Sequence, residues 1–199
     1  MSPATGATLS WLCRLVGART VAEVGSGAGV SGLWLLRGMA SDGVLTTIDE
    51  DSESTRAARR TFTEAGVATQ RVRLIPGHPR DVLPRLADGG YDVVFLNGDT
   101  REYEQYLDQA LRLLRPSGLV IFEHALGGGK VPDPAQRDPL TVAARTLVTA
   151  AGQDQRIHSL LLPVGDGLLL AQKRQDDPGP GPDEKPAAPS ATATTSNGS

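Results

Sequence analysis

The sequence predicts an α/β fold, a doubly wound and mostly parallel sheet with helices on both faces. Three observations carry that prediction. Strand-like and helix-like patterns alternate along the chain. An early apolar run ends in the glycine turn Gly25-Ser26-Gly27-Ala28-Gly29, and the next ends in Asp49, twenty-four residues after Gly25. The last two apolar runs are separated by only a short turn, Gly165-Asp166-Gly167, which requires an antiparallel hairpin.

Val21, Ala22 and Val24 mark the first strand (20–25), and Val30 to Met39 the helix after the glycine turn (29–40). Val44, Leu45 and Ile48 form the second strand (44–49). The other helices are expected at 5–17, 52–65, 79–87, 101–115 and 138–151, and further strands at 71–75, 91–96 and 118–123. Gly66 closes the third helix, and Pro116-Ser117-Gly118 closes the fifth with a turn. Val93–Leu96 and Leu119–Phe122 are continuous apolar runs, as strands covered on both faces should be. The closing hairpin joins 156–163 to 167–173. Five parallel strands followed by such a hairpin differ from a dehydrogenase, whose last strand normally arrives by a crossover helix.

The chain's 199 residues suffice for one well-buried core. Net charge is −3, and the basic residues, 17 Arg and 3 Lys, are scattered, so no footprint for nucleic acid or an anionic membrane is present. No apolar run approaches the roughly 20 residues that span a bilayer. Leu9–Val16 lacks the basic start and small-residue cleavage site of a signal peptide. Cys13 has no second cysteine to pair with and reads as an inert buried thiol. A cytoplasmic location follows as the default. From Asp176 the chain turns to Pro, Gly, Ala, Ser and Thr without large apolar residues, so 1–175 is expected to fold and 176–199 to be a disordered tail.

The glycine turn reads as a cofactor site. Glycines let the backbone approach a ligand where a Cβ would collide, and the helix N-terminus offers free N–H groups to an anion. Asp49 can accept hydrogen bonds from two neighbouring ribose hydroxyls. The run Gly27-Ala28-Gly29-Val30-Ser31-Gly32 also fits the dinucleotide pattern G-x-G-x-x-G. Glu23 discriminates between the two. A carboxylate two positions before the first glycine is badly placed for a pyrophosphate and suits a cationic ligand, such as the amino group and sulfonium of S-adenosylmethionine.

Several segments together resemble the S-adenosylmethionine-dependent O-methyltransferases of the catechol and caffeoyl-CoA type, in their small bacterial branch. They are Val21–Leu36, Leu45–Asp49, Tyr91–Tyr106, Leu111–Gly118 and Leu161–Lys173, and the likeness runs from about Pro3 to Lys173. The resemblance implies a Rossmann-like class I methyltransferase sheet of seven strands in the order 3-2-1-4-5-7-6, strand 7 antiparallel. It implies cofactor contacts from Glu23, Gly25, Ser26, Gly27 and Ser31 at the methionine end and Asp49 at the ribose. Glu50 and His78 would lie near the adenine, where the family normally has an apolar residue and an Asp. Asp99 would complete the pocket.

The catalytic end departs further. Family members usually carry Asp-x-Asp-Lys after the fourth strand and Asp-Asn after the fifth; the first Asp and the Asp-Asn pair hold a divalent metal that chelates the acceptor, and the Lys is a general base. This chain has Asn97-Gly98-Asp99-Thr100 and Glu123-His124. One carboxylate, one amide and one imidazole suit a hard ion such as Mg²⁺ poorly, and no divalent metal is expected. Asn97 and His124 are then the candidate catalytic residues. His124 has three readings: a general base in place of the Lys, a ligand to a transition ion, or a satisfied polar residue at a strand end. Gly127-Gly128-Gly129-Lys130 stands where the family has an aromatic-containing loop, which implies a roomier acceptor pocket.

The resemblance also implies cap helices before Pro3 that cover the cofactor and often make a dimer contact. They are missing from the sequence as given, and a start called too late is the expected reason; homodimerisation stays open. The predicted function is O-methyl transfer to a small-molecule hydroxyl acceptor. A non-catalytic S-adenosylmethionine-binding protein and an NAD-dependent oxidoreductase are the rivals, the latter disfavoured by Glu23 and the terminal hairpin.

Overall fold

The structure, a computed structural model, describes residues 1–175; the tail expected at 176–199 lies outside the described residues. Its elements run α1 (Pro3–Leu15), β1 (Thr20–Val24), α2 (Val30–Gly38), β2 (Val44–Asp49), α3 (Ser52–Glu64), β3 (Val72–Pro76), α4 (Pro79–Val82), β4 (Tyr91–Leu96), α5 (Tyr103–Leu113), β5 (Leu114–Phe122), α6 (Pro139–Gln153), β6 (Ile157–Leu162) and β7 (Leu168–Lys173). Ser2, Asp51 and Asp138 start α1, α3 and α6 by accepting backbone N–H groups of the first turn.

The strands form one seven-stranded sheet in the order β3-β2-β1-β4-β5-β7-β6. β1 to β5 run parallel, and β7 is antiparallel to both β5 and β6. This Rossmann-like architecture matches the expected order strand for strand. Side-chain alternation divides the interior into two cores. Val21, Leu45, Val93, Phe95 and Ile121 meet Leu9 and Leu12 of α1, Leu35 of α2 and Phe62 of α3. Val94, Leu96, Val120 and Phe122 meet Leu107 and Leu111 of α5 and Leu147 of α6. Cys13 is buried in the first core, and burial, with the nearby negative Asp92, pushes its thiol up to about 12. That thiol stays protonated and inert.

Asp92 ties the N-terminal ends of three neighbouring strands together. Its carboxylate accepts the backbone N–H groups of Arg19 and Thr20 at 2.7 and 2.8 Å and pairs with Arg115. Burial alone would raise its pKa, but Arg115 and the N–H donors outweigh burial and hold it below the ordinary carboxylate range.

Three boundaries differ from the expectation. The helix expected at 79–87 breaks into α4 and a 3-10 turn at Leu83–Arg85, where Pro84 has no N–H to continue it. The helix expected from 101 opens instead with a 3-10 turn at Thr100–Glu102. The turn expected at Pro116-Ser117-Gly118 lies inside β5. Tyr91 pairs with Leu114 and Val93 with Leu119, so the intervening residues bulge out of the ladder, with Ser117 at φ 62°.

The strand order reverses between β1 and β4. There the loops after the two strands diverge and leave a crevice at the C-terminal ends of the strands, as doubly wound sheets do.

Candidate cofactor and acceptor site

The crevice is lined by Gly25, Asp49, Glu50, Pro79, Gly98, Asp99, Glu102 and Tyr106, with Val24 and Ile48 at its floor. Gly25 is fixed by close approach: a Cβ there would lie 2.5 Å from the Asn97 carbonyl oxygen, and its φ is 89°. Gly27, at φ 47°, has open space where its Cβ would be. No side chain caps α2, whose N-cap is Gly29, so the first-turn N–H groups have no side-chain acceptor.

Asp49 ends β2 and faces the same turn. Its Oδ2 accepts the Gly27 N–H at 3.0 Å and its Oδ1 the Asp51 N–H at 2.9 Å. A carboxylate offers about four lone-pair sites, so two remain for a ligand. Nearby, His78 caps α4 through Nδ1, which accepts the Arg80 N–H at 3.2 Å. The other ring nitrogen must then carry the proton, and it faces Glu50 at 3.6 Å and Glu102 at 3.7 Å. Glu50 and Glu102 line the crevice; His78 stands behind them.

Glu23 is enclosed on every side. It is 0 % exposed, on β1, between Thr47 of β2 and Phe95 of β4 in register. Neither of its oxygens has a hydrogen-bond partner. Ser31 and Thr47 lie beside it and pull its pKa down, but the Thr47 hydroxyl is already 2.6 Å from that of Ser26. Burial dominates, with smaller help from the charges of Asp49 and Glu123, and pushes Glu23 up to about 7. An orphaned buried carboxylate costs stability unless something pairs with it.

Beyond Asp99 the crevice opens into a larger cavity of about 770 Å³. Its wall includes Asp99, Thr100, Arg101, His124, Gly127, Lys130, Leu140, Thr141 and Asp166, and no Phe, Tyr or Trp lines it. Asp99 forms a fork with Arg101, which holds its carboxyl below the usual range. His124 follows β5 in the left-handed region, φ 64°, and its Nδ1 lies 2.9 Å from Oδ2 of Asp166. His124 lines this wall and Asn97 adjoins it in sequence through Gly98; the Asn97 backbone N–H donates to the Val24 carbonyl at 2.9 Å. Tyr103 takes the packing role: its hydroxyl donates to the carbonyls of Leu96 and Gly98, and its ring leans on Phe122 at 5.3 Å.

The three positions that replace the expected metal ligands offer one carboxylate, one amide and one imidazole. Alternation along β5 places Glu123 on the face of Ile121. Glu123 is 3 % exposed, leaves Oε2 unpaired, and lies outside the cavity wall. Burial raises its pKa, opposed by the neighbouring His124. His124 Nδ1 is engaged by Asp166. Among the described residues, no three His, Cys, Asp or Glu side chains are grouped as metal ligands. This donor set does not fit Mg²⁺.

The profile of the O-methyltransferase family matches residues 1–174. The chain belongs to that family. It is 48 % identical over 171 residues to a Mycobacterium avium (strain 104) protein named provisionally as an O-methyltransferase, covering 86 % of this chain and 77 % of the relative. Among solved structures it is similar to the Bacillus cereus O-methyltransferase in complex with SAH, at TM-score 0.80 and 27 % identity, covering 87 % of this chain and 82 % of that one. It is also similar to TomG of Streptomyces achromogenes, an O-methyltransferase of tomaymycin synthesis in complex with SAM, at TM-score 0.78 and 30 % identity, covering 87 % and 81 %. The seven-stranded sheet order described above is the one expected for this family. Asp166 escaped the sequence reading, although the Gly-Asp-Gly turn that holds it was the basis of the hairpin.

Glu23 makes stability depend on pH in a direction opposite to most carboxylates. Its folded-state pKa lies above the ordinary value, so its contribution is fully present in acid and is lost as pH rises through about 7. From pH 5 to pH 8 the ligand-free protein is expected to lose about 2 to 3 kcal/mol relative to Glu23→Gln. Urea unfolding of both proteins checks this, and parallel pH dependences would contradict it.

Proposed function

We propose that this protein transfers the methyl group of S-adenosylmethionine to a hydroxyl of a small-molecule acceptor, in the cytoplasm and without a Mg²⁺ site. The observation that carries the reading is Glu23: a buried, unpaired carboxylate beside the glycine turn needs a cationic ligand. When bound, the cofactor supplies a sulfonium methyl that an oxygen nucleophile displaces in line, the carbon–sulfur electron pair leaving on sulfur.

In this reading Glu23 pairs with the positive methionine end, and the uncapped N–H groups of α2 receive its carboxylate. Ser26 and Ser31 are the flanking hydroxyls there, and Gly25 and Gly27 keep the backbone low enough for the ligand to sit. Asp49 uses its two spare lone-pair sites on the ribose hydroxyls. Glu50, with His78 behind it, borders the adenine, and Asp99 separates the crevice from the acceptor cavity. Closing a cation over Glu23 returns the stability that its burial removes, so affinity and fold stability are linked through one residue.

At the acceptor, His124 is the general base. Its Nδ1 is taken by Asp166, so Nε2 is the nitrogen left to accept the hydroxyl proton. A positioned base contributes about 10² to 10⁴-fold, enough to stand in for part of the acidity a metal would impart. The cavity's lack of large aromatic side chains favours acceptors held by polar contacts over those held by stacking. Asn97 serves in this reading through its backbone, closing the gap between β1 and β4 beneath the cofactor.

Calorimetric titration is expected to show binding of S-adenosylhomocysteine and none of NAD, and Asp49→Ala should weaken that binding by about 1 to 3 kcal/mol. Tighter binding of NAD, or an unchanged affinity in the variant, would contradict the cofactor assignment.

Methyl transfer to a panel of phenols and other hydroxyl compounds is expected to proceed unchanged in EDTA. Loss of transfer on chelation with recovery on added Mg²⁺ would show the metal inference wrong. Binding without transfer to any member of the panel would favour a non-catalytic role.

A further inference from the structure

We infer that Asp166, on the turn between β6 and β7, is a positioning residue that fixes the tautomer and direction of the His124 imidazole. The inference rests on the reading of His124 as the base that faces the acceptor.

The two residues lie 42 positions apart, and the hairpin brings them together. β7 pairs with β5 through Phe122 and Leu169, which aligns the hairpin turn with the segment after β5. Two backbone hydrogen bonds then join the segments: Ala125 N–H to the Gly167 carbonyl at 3.1 Å, and Leu126 N–H to the Asp166 carbonyl at 2.9 Å. A Cβ at Gly167 would lie 2.5 Å from Leu126, so the turn cannot sit this close with any other residue there. These two backbone hydrogen bonds do not involve the Asp166 side chain.

That side chain lies at the cavity wall, with each oxygen engaged. Oδ2 lies 2.9 Å from His124 Nδ1, and Oδ1 accepts the Gly128 N–H of the glycine loop. An ionised carboxylate has no proton to donate, so Nδ1 must donate to it, which leaves the neutral imidazole with its lone pair on Nε2. His124 itself is a non-glycine residue at φ 64°, a sparsely populated conformation that surrounding contacts must maintain. Here the contacts are those to the hairpin turn. The arrangement repeats the logic by which a buried or half-buried carboxylate orients a histidine base and stabilises the imidazolium formed on proton uptake. Asp166 touches no reacting atom: Oδ2 acts on His124, and Oδ1 holds the Gly128 N–H of the adjoining glycine loop.

The test uses the full chain labelled with ¹⁵N-histidine and saturated with S-adenosylhomocysteine. The protein has three histidines, and the His124 signals are assigned by their loss in His124→Ala. Two-bond proton–nitrogen correlations are expected to show neutral His124 protonated on Nδ1 in the wild type. In Asp166→Asn, whose amide can donate to Nδ1, the proton should shift at least in part to Nε2. A wild-type His124 protonated on Nε2, or a tautomer unchanged in Asp166→Asn and Asp166→Ala alike, overturns the inference.

Methyl transfer to 3,4-dihydroxybenzoate and the rest of the hydroxyl panel separates this inference from the reading beneath it. Asp166→Asn is expected to lower kcat by about 10²-fold or more, with the KM for S-adenosylmethionine within about twofold of wild type. The double variant His124→Ala/Asp166→Asn should be no slower than His124→Ala alone, because residues acting as one unit are non-additive. Full activity in His124→Ala removes the base reading. A slow His124→Ala beside fully active Asp166 variants removes the positioning role alone, as does a double variant slowed by the product of the two single effects.

Discussion

The carboxylate of Glu23 is the constraint on which the organisation of the site depends. It is fully buried on β1, without a hydrogen bond to either oxygen, and carries a pKa near 7. Nothing in a doubly wound sheet requires a carboxylate there; an apolar residue would pack the same place at lower cost. The neighbouring features make sense once a cation completes the site. In the proposed reading the glycine turn after β1 would leave room for it and the uncapped α2 would face its counter-charge, while Asp49 stands one strand away with lone pairs to spare. The cost is held in place by the rest of the fold, with β1 between β2 and β4 at the centre of the sheet and Asp92 tying its opposite end.

The acceptor side follows a different logic from the cofactor side. The family profile matches residues 1–174, which include the whole sheet, the glycine turn after β1 and the β6–β7 hairpin. The larger cavity is walled by the segment after β4, the glycine loop after β5, the β6–β7 turn and the start of α6. Loops can change their chemistry without disturbing the two cores, which is what the proposed exchange of a metal-ligand set for an oriented histidine would require. Glu123 marks the limit of that freedom. It occupies a strand-end position facing the interior, where alternation rather than acceptor chemistry decides its direction.

Features encoded locally were legible in the sequence. The apolar runs of Val93–Leu96 and Leu119–Phe122, the Gly-Asp-Gly hairpin turn and the spacing from Gly25 to Asp49 each report on a few neighbouring residues, and the order of the sheet came with the family resemblance. The start of β5 was not legible, because Pro116-Ser117-Gly118 has the composition of a turn while its neighbours Leu114 and Leu119 pair with β4 on either side of a bulge. The break in the helix after Pro79 follows from Pro84 and was readable in principle. The partnership of His124 with Asp166 was not, since it depends on how the hairpin docks across 42 residues. Asn97 was singled out from its motif position after β4, and there its backbone N–H continues the ladder to Val24 of β1.

The central claim is that a cationic cofactor completes the charge of Glu23, and proton counting during binding tests it most directly. Because the free protein holds Glu23 with a pKa of about 7, binding at pH 6 must expel the proton before the ion pair can form. Titration calorimetry of S-adenosylmethionine in two buffers of different ionisation enthalpy should report release of close to one proton at pH 6, falling toward none by pH 8. Measurable binding at pH 6 with no buffer-dependent heat would contradict the account.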